Sequence, residues 1–246
     1  MSFFFLKEYL FLFEIWQNGR LKLIVCEKNV QNILEIPTKS NKIVFEGANM
    51  VISTSILKKQ YADYSNPLDK IKREADKGEL IRLNRGLYET NRNVNPYLVA
   101  SSILSPSYLS FDFALSYYGL IPEKVYSITS ATLNLRKTKT FNNPIGRFEY
   151  SDIPSSAFSE GLTYLEEGEY VVKIATKEKA ICDSLSKWRV TKSVKELKEL
   201  LFVDKRIDRE EFSRCDFSLM LRLALLYKKS NLELLIKLIR KEYLDE

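Results

Sequence analysis

The spacing of apolar positions beyond the first fifty residues predicts two short helices. Ser53 or Thr54 can cap the first helix, because a hydroxyl there can accept a backbone N–H of the opening turn. Asn66 is a good cap for the second helix, which we expect over residues 67–77 with proline at its first position. Gly78 can then adopt the left-handed conformation that ends this helix.

Two short strands are predicted next, at residues 80–83 and 87–89, on either side of Asn84-Arg85-Gly86. This tripeptide has the composition of a hairpin turn. Two helices followed directly by a tight hairpin are the outline of a winged helix-turn-helix, which we assign to residues 50–92. Residues 90–96 are polar and are expected to form a linker.

The rest of the chain mixes helical and extended patterns. Helices are expected near residues 97–104, 111–118, 177–188, 194–202, 217–228 and 232–243. Strands are expected near residues 125–133, 146–150, 162–164 and 170–174. Gly119 is placed to end a helix, and Ser193 with Glu196 forms a capping box.

These patterns together predict an α+β fold. An N-terminal extension over residues 1–49 precedes the winged helix-turn-helix at 50–92, and a mixed α/β core domain follows at 93–192. The last segment, 193–246, is a helical C-terminal region. No repeat or heptad pattern runs through the chain, which argues against a solenoid or a coiled coil.

Residues 1–49 differ in character from the rest, with a Phe-rich opening and extended-looking pieces at 21–26 and 42–45. One interpretation is a small N-terminal subdomain. The other is that translation normally begins at Met50, because Glu46-Gly47-Ala48-Asn49 can be encoded by GAA GGA GCA AAT, which contains the ribosome-binding sequence AAGGAG. On that hypothesis the apolar opening is dispensable and should pack poorly against the winged helix.

Composition narrows the possible chemistry. The 246 residues carry 38 Lys and Arg against 32 Asp and Glu, a net charge of +6, and contain no histidine. Without imidazole, Ser-His-Asp catalysis, Cys-His catalysis and histidine zinc sites are impossible. Cys26, Cys182 and Cys215 are far apart, as expected of reduced thiols rather than a disulfide framework. A sequence pI near 9.0 is compatible with a polyanionic partner but is a weak signal alone.

The sequence predicts neither membrane contact nor a cofactor. Lys7, Glu8 and Glu14 interrupt the apolar opening, and no uncharged run reaches the ~18 residues that a membrane helix needs. A cytoplasmic protein is therefore expected. The eight glycines never form GxG, and no Walker A sequence is present, so a phosphate-cradling loop for a nucleotide cofactor is not expected.

The predicted helix at 67–77 carries cations on one side. At about 100° per residue, Leu68, Ile71 and Ala75 share one sector and are expected to form the buried stripe. The opposite side carries three cations: Lys70, Arg73 and Lys77. The hairpin adds polar and basic residues where a wing would meet DNA: Arg82, Asn84 and Arg85. With Asn66, these side chains are the predicted DNA-binding residues. The alternative is an ordinary solvated amphipathic helix.

Catalytic candidates are weak, and we expect no enzyme activity. The carboxylates at 166–167 and 208–211 fall in a turn and at a helix start, where solvated caps are commoner than acid–base pairs. Cys182 has apolar neighbours and no nearby base, so packing is favoured. Tyr117 and Tyr118 precede a glycine cap, which favours a core position over a stacking platform for bases. A nuclease that uses the carboxylate pairs is the enzymatic alternative.

Several stretches carry a family resemblance: KGELIRLNRGLY at 77–88, YLSFDFALSYYGLIP at 108–122, VYSITS at 125–130, GRFEY at 146–150 and ATKEKAICD at 175–183. Together, and in this order, they resemble the AbiEi-type antitoxins of bacterial abortive-infection (type IV) toxin–antitoxin systems. The resemblance spans roughly residues 50–190, and residues 1–49 have no counterpart in it.

The resemblance implies an N-terminal winged helix that represses its own promoter through inverted repeats, and a C-terminal antitoxin domain that counteracts a nucleotidyltransferase-like toxin. Whether neutralisation needs direct contact stays open. By position, residues 67–77 and 82–86 resemble the DNA-reading elements and residues 97–190 the antitoxin core. The partners implied are double-stranded DNA and the toxin. A stand-alone winged-helix regulator without a toxin is the alternative.

Overall fold

The computed structural model describes the backbone of residues 11–17, 20–27 and 30–36, and the complete residues 51–168 and 170–244. It is a mixed α+β structure, which confirms the predicted fold class at that level. The chain divides into two compact units. The first comprises Met1–Leu98, Asn143–Ile145 and Glu166–Val171, and the second Val99–Asn142, Gly146–Leu165 and Val172–Glu246.

Three antiparallel strands open the described part of the chain: β1 (Phe11–Gln17), β2 (Arg20–Glu27) and β3 (Val30–Ile36). The extended segment predicted at 21–26 is confirmed as part of β2. The one predicted at 42–45, and the packing predicted for the apolar opening, lie outside the described residues and side chains.

The first unit continues with a second small sheet and two helices. They are β4 (Val51–Ser53), α1 (Thr54–Gln60), α2 (Pro67–Asp76), β5 (Ile81–Asn84) and β6 (Leu87–Glu89), and the strand order is β4-β6-β5. The helices pack on each other, and α1 also contacts β4. A small apolar core holds them together: Ile52, Leu57, Ile71 and Leu80, with Tyr61, Ala75 and Tyr88 at its margin.

The predicted boundaries of α1 and α2 are confirmed by their caps. Ser53 Oγ accepts the Ile56 N–H at 3.4 Å. Asn66 Oδ1 accepts the N–H groups of Leu68 and Asp69 at 3.2 and 3.4 Å. Beyond the last turn of α2, Gly78 has φ +73°, the left-handed conformation that a glycine adopts without a steric penalty.

The hairpin turn also follows its sequence. Asn84 pairs with Leu87, which leaves Arg85 and Gly86 as the turn. Gly86 has φ +80°, and its carbonyl accepts the N–H of Thr54 at 2.8 Å, so the turn is fastened to the start of α1. A Cβ at Gly86 would make only an ordinary contact with Thr54 Oγ1, at 3.4 Å, so the left-handed backbone angle is what favours glycine.

A six-stranded sheet has the order β11-β12-β7-β8-β10-β9. Its strands are β7 (Ser107–Leu109), β8 (Ser127–Thr132), β9 (Lys139–Asn143), β10 (Gly146–Asp152), β11 (Leu162–Glu167) and β12 (Tyr170–Ala175). Strand β7 is antiparallel to β8 and parallel to β12. The sequence patterns missed β7, which is only three residues long, and β9, whose residues are mostly polar.

Most described helices of the second unit match their predictions. The described helices are α3 (Ala100–Ile103), α4 (Phe111–Tyr117), α5 (Lys177–Leu185), α6 (Val194–Glu199), α7 (Arg209–Ser213), α8 (Phe217–Tyr227) and α9 (Ser230–Tyr243). Helix α7 lies outside every predicted helix range. A 3-10 turn at Pro96–Val99 replaces the first half of the helix predicted at 97–104. A π-helical segment, Leu200–Asp204, extends α6.

Two local predictions in this unit are confirmed. Ser193 Oγ accepts the Glu196 N–H at 3.2 Å, which is the first hydrogen bond of a capping box, and Glu196 Oε2 accepts the N–H of Lys192 at 2.9 Å. Gly119 has φ +70° directly after α4. Helix α5 packs against α8 and α9, so the C-terminal helices belong to the same compact unit as most of the sheet. In the described part of the chain, every helix is too short or too polar to cross a lipid bilayer.

Candidate nucleic-acid interface

The buried side of α2 is rotated from its predicted position. Ile71 is 2% exposed and Ala75 packs against the small core, as predicted, but Leu68 is 50% exposed. The prediction that Leu68 belongs to the buried stripe is therefore wrong. The side of the helix that bears Lys70 and Glu74 is partly covered instead, so helical periodicity alone misplaced the boundary by about one position.

Lys70 does not lie on the free solvent side of α2, where the sequence predicted it. Its Nζ lies 2.5 Å from Glu74 Oε1 and sits over the rings of Tyr61 and Tyr64, at 5.8 and 5.2 Å from their centroids. The hydrogen bond to Glu74 raises the pKa of Lys70. These tyrosines come from the end of α1 and its connection to α2, and their packing on Lys70 cannot be seen in the periodicity of α2.

The other two predicted cations of α2, Arg73 and Lys77, are exposed. Lys72 is exposed as well, and the sequence analysis missed it because it lies between the two predicted sides. Asp69 and Asp76 share this surface with the cations. The backbone carbonyl of Asp69 accepts a hydrogen bond from Arg73 Nε at 3.3 Å. The exposed side of α2 therefore carries three cations and two anions.

The side chain of Asn66 caps the start of α2. Besides the two N–H groups that its Oδ1 accepts, its Nδ2 donates to Asp69 Oδ2 at 2.7 Å. The predicted contact of this amide with DNA therefore competes with its cap hydrogen bonds. Capping accounts for an asparagine at this position without any ligand.

The hairpin places two cations in solvent. Arg82 is exposed on β5, opposite Tyr88, and Arg85 is exposed in the turn. Asn84 is half-buried, and its Oδ1 accepts the Arg85 N–H at 2.7 Å, which fixes the turn. The exposed cations of the segment 51–92 without an ion-pair partner in the described structure are Lys58, Lys59, Lys72, Arg73, Lys77, Arg82 and Arg85.

Glu89, at the end of β6, is an unusual carboxylate. It is 0% exposed, and its Oε1 accepts the N–H groups of Thr90 and Asn91 and the hydroxyl of Tyr170, at 2.8, 2.8 and 3.0 Å. Its Oε2 is buried without a hydrogen-bond partner among the described residues. Burial raises the pKa of Glu89. This carboxylate therefore contributes little negative charge to the protein surface.

The second unit contains a buried polar cluster that the sequence analysis missed. The Asp183 cluster consists of Tyr108, Ser110, Lys179, Asp183 and Tyr227. Asp183 Oδ2 accepts the hydroxyls of Tyr108 and Ser110 at 3.0 and 2.6 Å. Its Oδ1 accepts the hydroxyl of Tyr227 at 2.6 Å and lies 3.3 Å from Lys179 Nζ.

Lys179 Nζ also donates to the Ala157 carbonyl at 2.5 Å and to the Tyr227 hydroxyl. Burial lowers the pKa of Lys179, although Asp183 opposes this shift. The side chains of both residues are 0% exposed, so the cluster cannot meet a solvent-borne substrate as it stands. The one available sequence signal is a lysine four residues before an aspartate, with the apolar run Ala180–Cys182 between them.

The weak catalytic candidates have structural partners. Cys182 is fully buried, as predicted, and burial raises the pKa of its thiol. Asp208 caps α7 by accepting the Glu211 N–H at 2.8 Å, and Glu211 pairs with Lys177 at 2.9 Å. Over the described residues, no group of three or more His, Cys, Asp or Glu side chains could hold a metal ion.

The aromatic pair before Gly119 is not wholly in the core. Tyr117 is 51% exposed, so the core position predicted for it is wrong. Its ring stacks on Phe113 with centroids 6.4 Å apart and meets Tyr118 edge-on at 5.1 Å. Tyr118 is half-buried, and burial raises its pKa to about 12. The end of α4, where the helix leaves the core, exposes one ring that the pattern alone assigned to the interior.

No protein-family model matches the chain, and a search of curated proteins finds no match. The features that bear on function are therefore the geometry of the segment 51–92 and the sequence motifs themselves.

Proposed function

We propose that this chain is a DNA-binding antitoxin of the abortive-infection type, which represses its own promoter and counteracts a nucleotidyltransferase-like toxin. The two halves of this proposal have different supports. DNA binding is supported by the geometry and charge of residues 51–92. Toxin neutralisation is supported by the resemblance of the sequence motifs to AbiEi-type antitoxins.

The observation that carries the proposal is a pair of packed helices followed directly by a two-stranded hairpin, with free cations on the second helix and on the hairpin. In a winged helix, the second helix of such a pair enters the major groove and the hairpin contacts the backbone. Helix α2 would then present Lys72, Arg73 and Lys77 to the DNA. The hairpin would present Arg82 and Arg85.

The ion pairs strengthen the positive character of this surface. Residues 51–92 contain nine cations and six anions. Two of the cations, Lys70 and Arg92, are paired with Glu74 and Glu79, and Glu89 is buried. Among the described residues, seven cations without an ion-pair partner and three exposed anions remain, so the excess of positive charge is larger than the sequence count suggests. Cations without partners are available to neutralise phosphates.

The test is binding of the full chain to duplexes that it selects from a random DNA pool, measured against salt concentration. Replacing Lys72, Arg73 or Lys77 by alanine should reduce the slope of log K against log salt by about 0.9 for each phosphate that the variant no longer neutralises. Lys237→Ala, which removes an exposed cation of α9, is the matched control and should leave the slope unchanged. A triple variant with wild-type affinity and slope would refute DNA binding by α2.

The antitoxin half draws on segments that lie in the second unit. Tyr108 and Ser110 belong to one motif of the resemblance and Lys179 and Asp183 to another, and all four join the Asp183 cluster. The two motifs therefore contribute side chains to the same buried cluster. Co-expression with a nucleotidyltransferase encoded beside the gene is the test. Rescue of growth is expected, whereas DNA binding without rescue would favour a stand-alone regulator.

A further inference from the structure

Leu68 is an apolar side chain on an otherwise charged surface. It is 50% exposed, whereas Ile71 in the next turn is 2% exposed. A single exposed leucine is ordinary on a protein surface and needs no explanation by itself. The position of this leucine on α2, the helix proposed to enter the major groove, is what suggests a function for it.

Leu68 lies in the first turn of α2, which Asn66 holds in place through two hydrogen bonds to backbone N–H groups. Lys72 is four residues further on, so the two side chains are neighbours on one side of the helix, with Cβ atoms about 6 Å apart. Both are exposed, and Arg73 is exposed beside Lys72. The leucine therefore lies next to one exposed cation suited to a phosphate, Lys72, while Arg73 lies further round the helix.

The first turn of a recognition helix is the part that reaches base edges in the major groove. Each base edge there offers hydrogen-bonding groups, and thymine alone adds an apolar one, its C5-methyl. A leucine offers no hydrogen bond, so its favourable contact in the groove is with that methyl. We propose that Leu68 selects a thymine in each DNA half-site by packing on its C5-methyl group. This inference rests on the proposed DNA binding by α2.

The test uses the selected duplexes and replaces each thymine in turn by deoxyuridine, which removes the methyl and leaves base pairing intact. For the wild-type chain, at least one replacement in each half-site should weaken binding about fourfold, the effect of exposing one methyl-sized apolar group. Leu68→Ala should bind the thymine and deoxyuridine duplexes equally. Leu68→Met, which keeps an apolar side chain of similar length, should retain the preference.

Leu225→Ala is the matched control, because Leu225 is an exposed leucine on α8 in the second unit, and the preference for thymine should survive in it. Thermal unfolding followed by circular dichroism checks that Leu68→Ala stays folded, and Leu68→Gln, which keeps the length but should lose the preference, carries the test if it does not. The inference is overturned if wild-type binding ignores the thymine methyls, or if Leu68→Ala still responds to them. Failure to select any duplex would instead overturn the proposed function itself.

Discussion

In the described part of the chain, two helices contain a lysine that is ion-paired with a carboxylate four residues further on, and the two pairs differ in their exposure to solvent. In α2, Lys70 and Glu74 keep 22% and 15% of their side-chain surface exposed, and tyrosine rings flank the lysine. In α5, Lys179 and Asp183 are both 0% exposed. The same spacing thus produces a hydrated pair in one unit and a dry one in the other.

The difference shows what a buried ion pair requires. Each charge moved out of water loses several kcal/mol of hydration, which one opposite charge repays only if other hydrogen bonds complete the site. Asp183 receives three hydroxyl donors besides Lys179, whereas Glu74 keeps water within reach. The dry pair is therefore part of an interdependent cluster, and removing one member should cost far more than at the surface.

The largest effect is expected from Asp183→Asn. The variant leaves the Lys179 ammonium buried without a counter-charge, so we expect a loss of about 3–5 kcal/mol in the free energy of unfolding. Burial already lowers the pKa of Lys179, and the variant should lower it further. The folded state then binds fewer protons than the unfolded state below the ordinary lysine pKa, so stability should rise with pH in that range.

Urea unfolding at several pH values measures both the loss and its pH dependence. The double variant Lys179→Met with Asp183→Asn removes the unpaired charge, so it should recover part of the stability and lose the rise with pH. A single variant that unfolds within about 1 kcal/mol of the wild type would contradict the requirement for a paired charge.

A smaller loss is expected from Tyr227→Phe. The hydroxyl of Tyr227 on α8 donates to Asp183 on α5, and its removal leaves a buried carboxylate with one donor fewer. A loss of about 1–3 kcal/mol in the free energy of unfolding is expected. Tyr117→Phe is the control, because that ring is half exposed, and its unfolding midpoint should not change. Equal effects in the two variants would show that the cluster hydrogen bond is not special.

Glu89 offers a third arrangement, a buried carboxylate that receives hydrogen bonds but has no cationic partner among the described residues. Burial raises its folded pKa, so the folded state holds a proton that the unfolded state releases. The wild type should therefore lose stability as pH rises from the unfolded to the folded pKa, and then level off. Glu89→Gln cannot release a proton, so it should lack this loss and be more stable than the wild type at neutral pH.

The free energy of unfolding of the wild type and of Glu89→Gln is measured from about pH 4 to about pH 8, a range that begins near the ordinary pKa of a glutamate. A loss of stability with rising pH in the wild type alone is the expected result. Glu166→Gln is the control, because Glu166 is an exposed carboxylate in the same unit. Parallel pH profiles for wild type and Glu89→Gln would show that folding does not raise the pKa of Glu89.

Local chemistry made the two helices and the hairpin of residues 51–92 predictable. The caps at Ser53 and Asn66, the glycines at 78 and 86 and the short apolar periods each act within a few residues, and the structure agrees with the caps and the turns. The orientation of α2 was not predictable to the same degree. It depends on rings at Tyr61 and Tyr64 that cover Lys70, a contact between segments that periodicity within one helix does not contain.

The buried chemistry was less predictable still. Lys179 and Asp183 have the spacing of a solvated surface pair. The neighbouring sequence does not predict the tyrosine and serine hydroxyls that donate to Asp183. Tyr108 and Tyr227 lie 75 and 44 residues away from Asp183 along the chain. Such a cluster exists only through tertiary packing, so sequence patterns limited to one element could not assemble it.

The smallest effect is expected from Lys70→Ala. Water can replace the ammonium beside Glu74, because solvent reaches that pair. The unfolding midpoint should therefore change little, and the change should be even smaller at high salt. The slope of DNA binding against salt should also stay near the wild-type value, whereas Arg73→Ala should reduce it by about 0.9. Both variants remove one cation from the same helix, so the comparison isolates whether that cation is free. If Lys70→Ala reduces the slope as much as Arg73→Ala does, the ion pair with Glu74 opens on DNA, and Lys70 is again assigned to a phosphate.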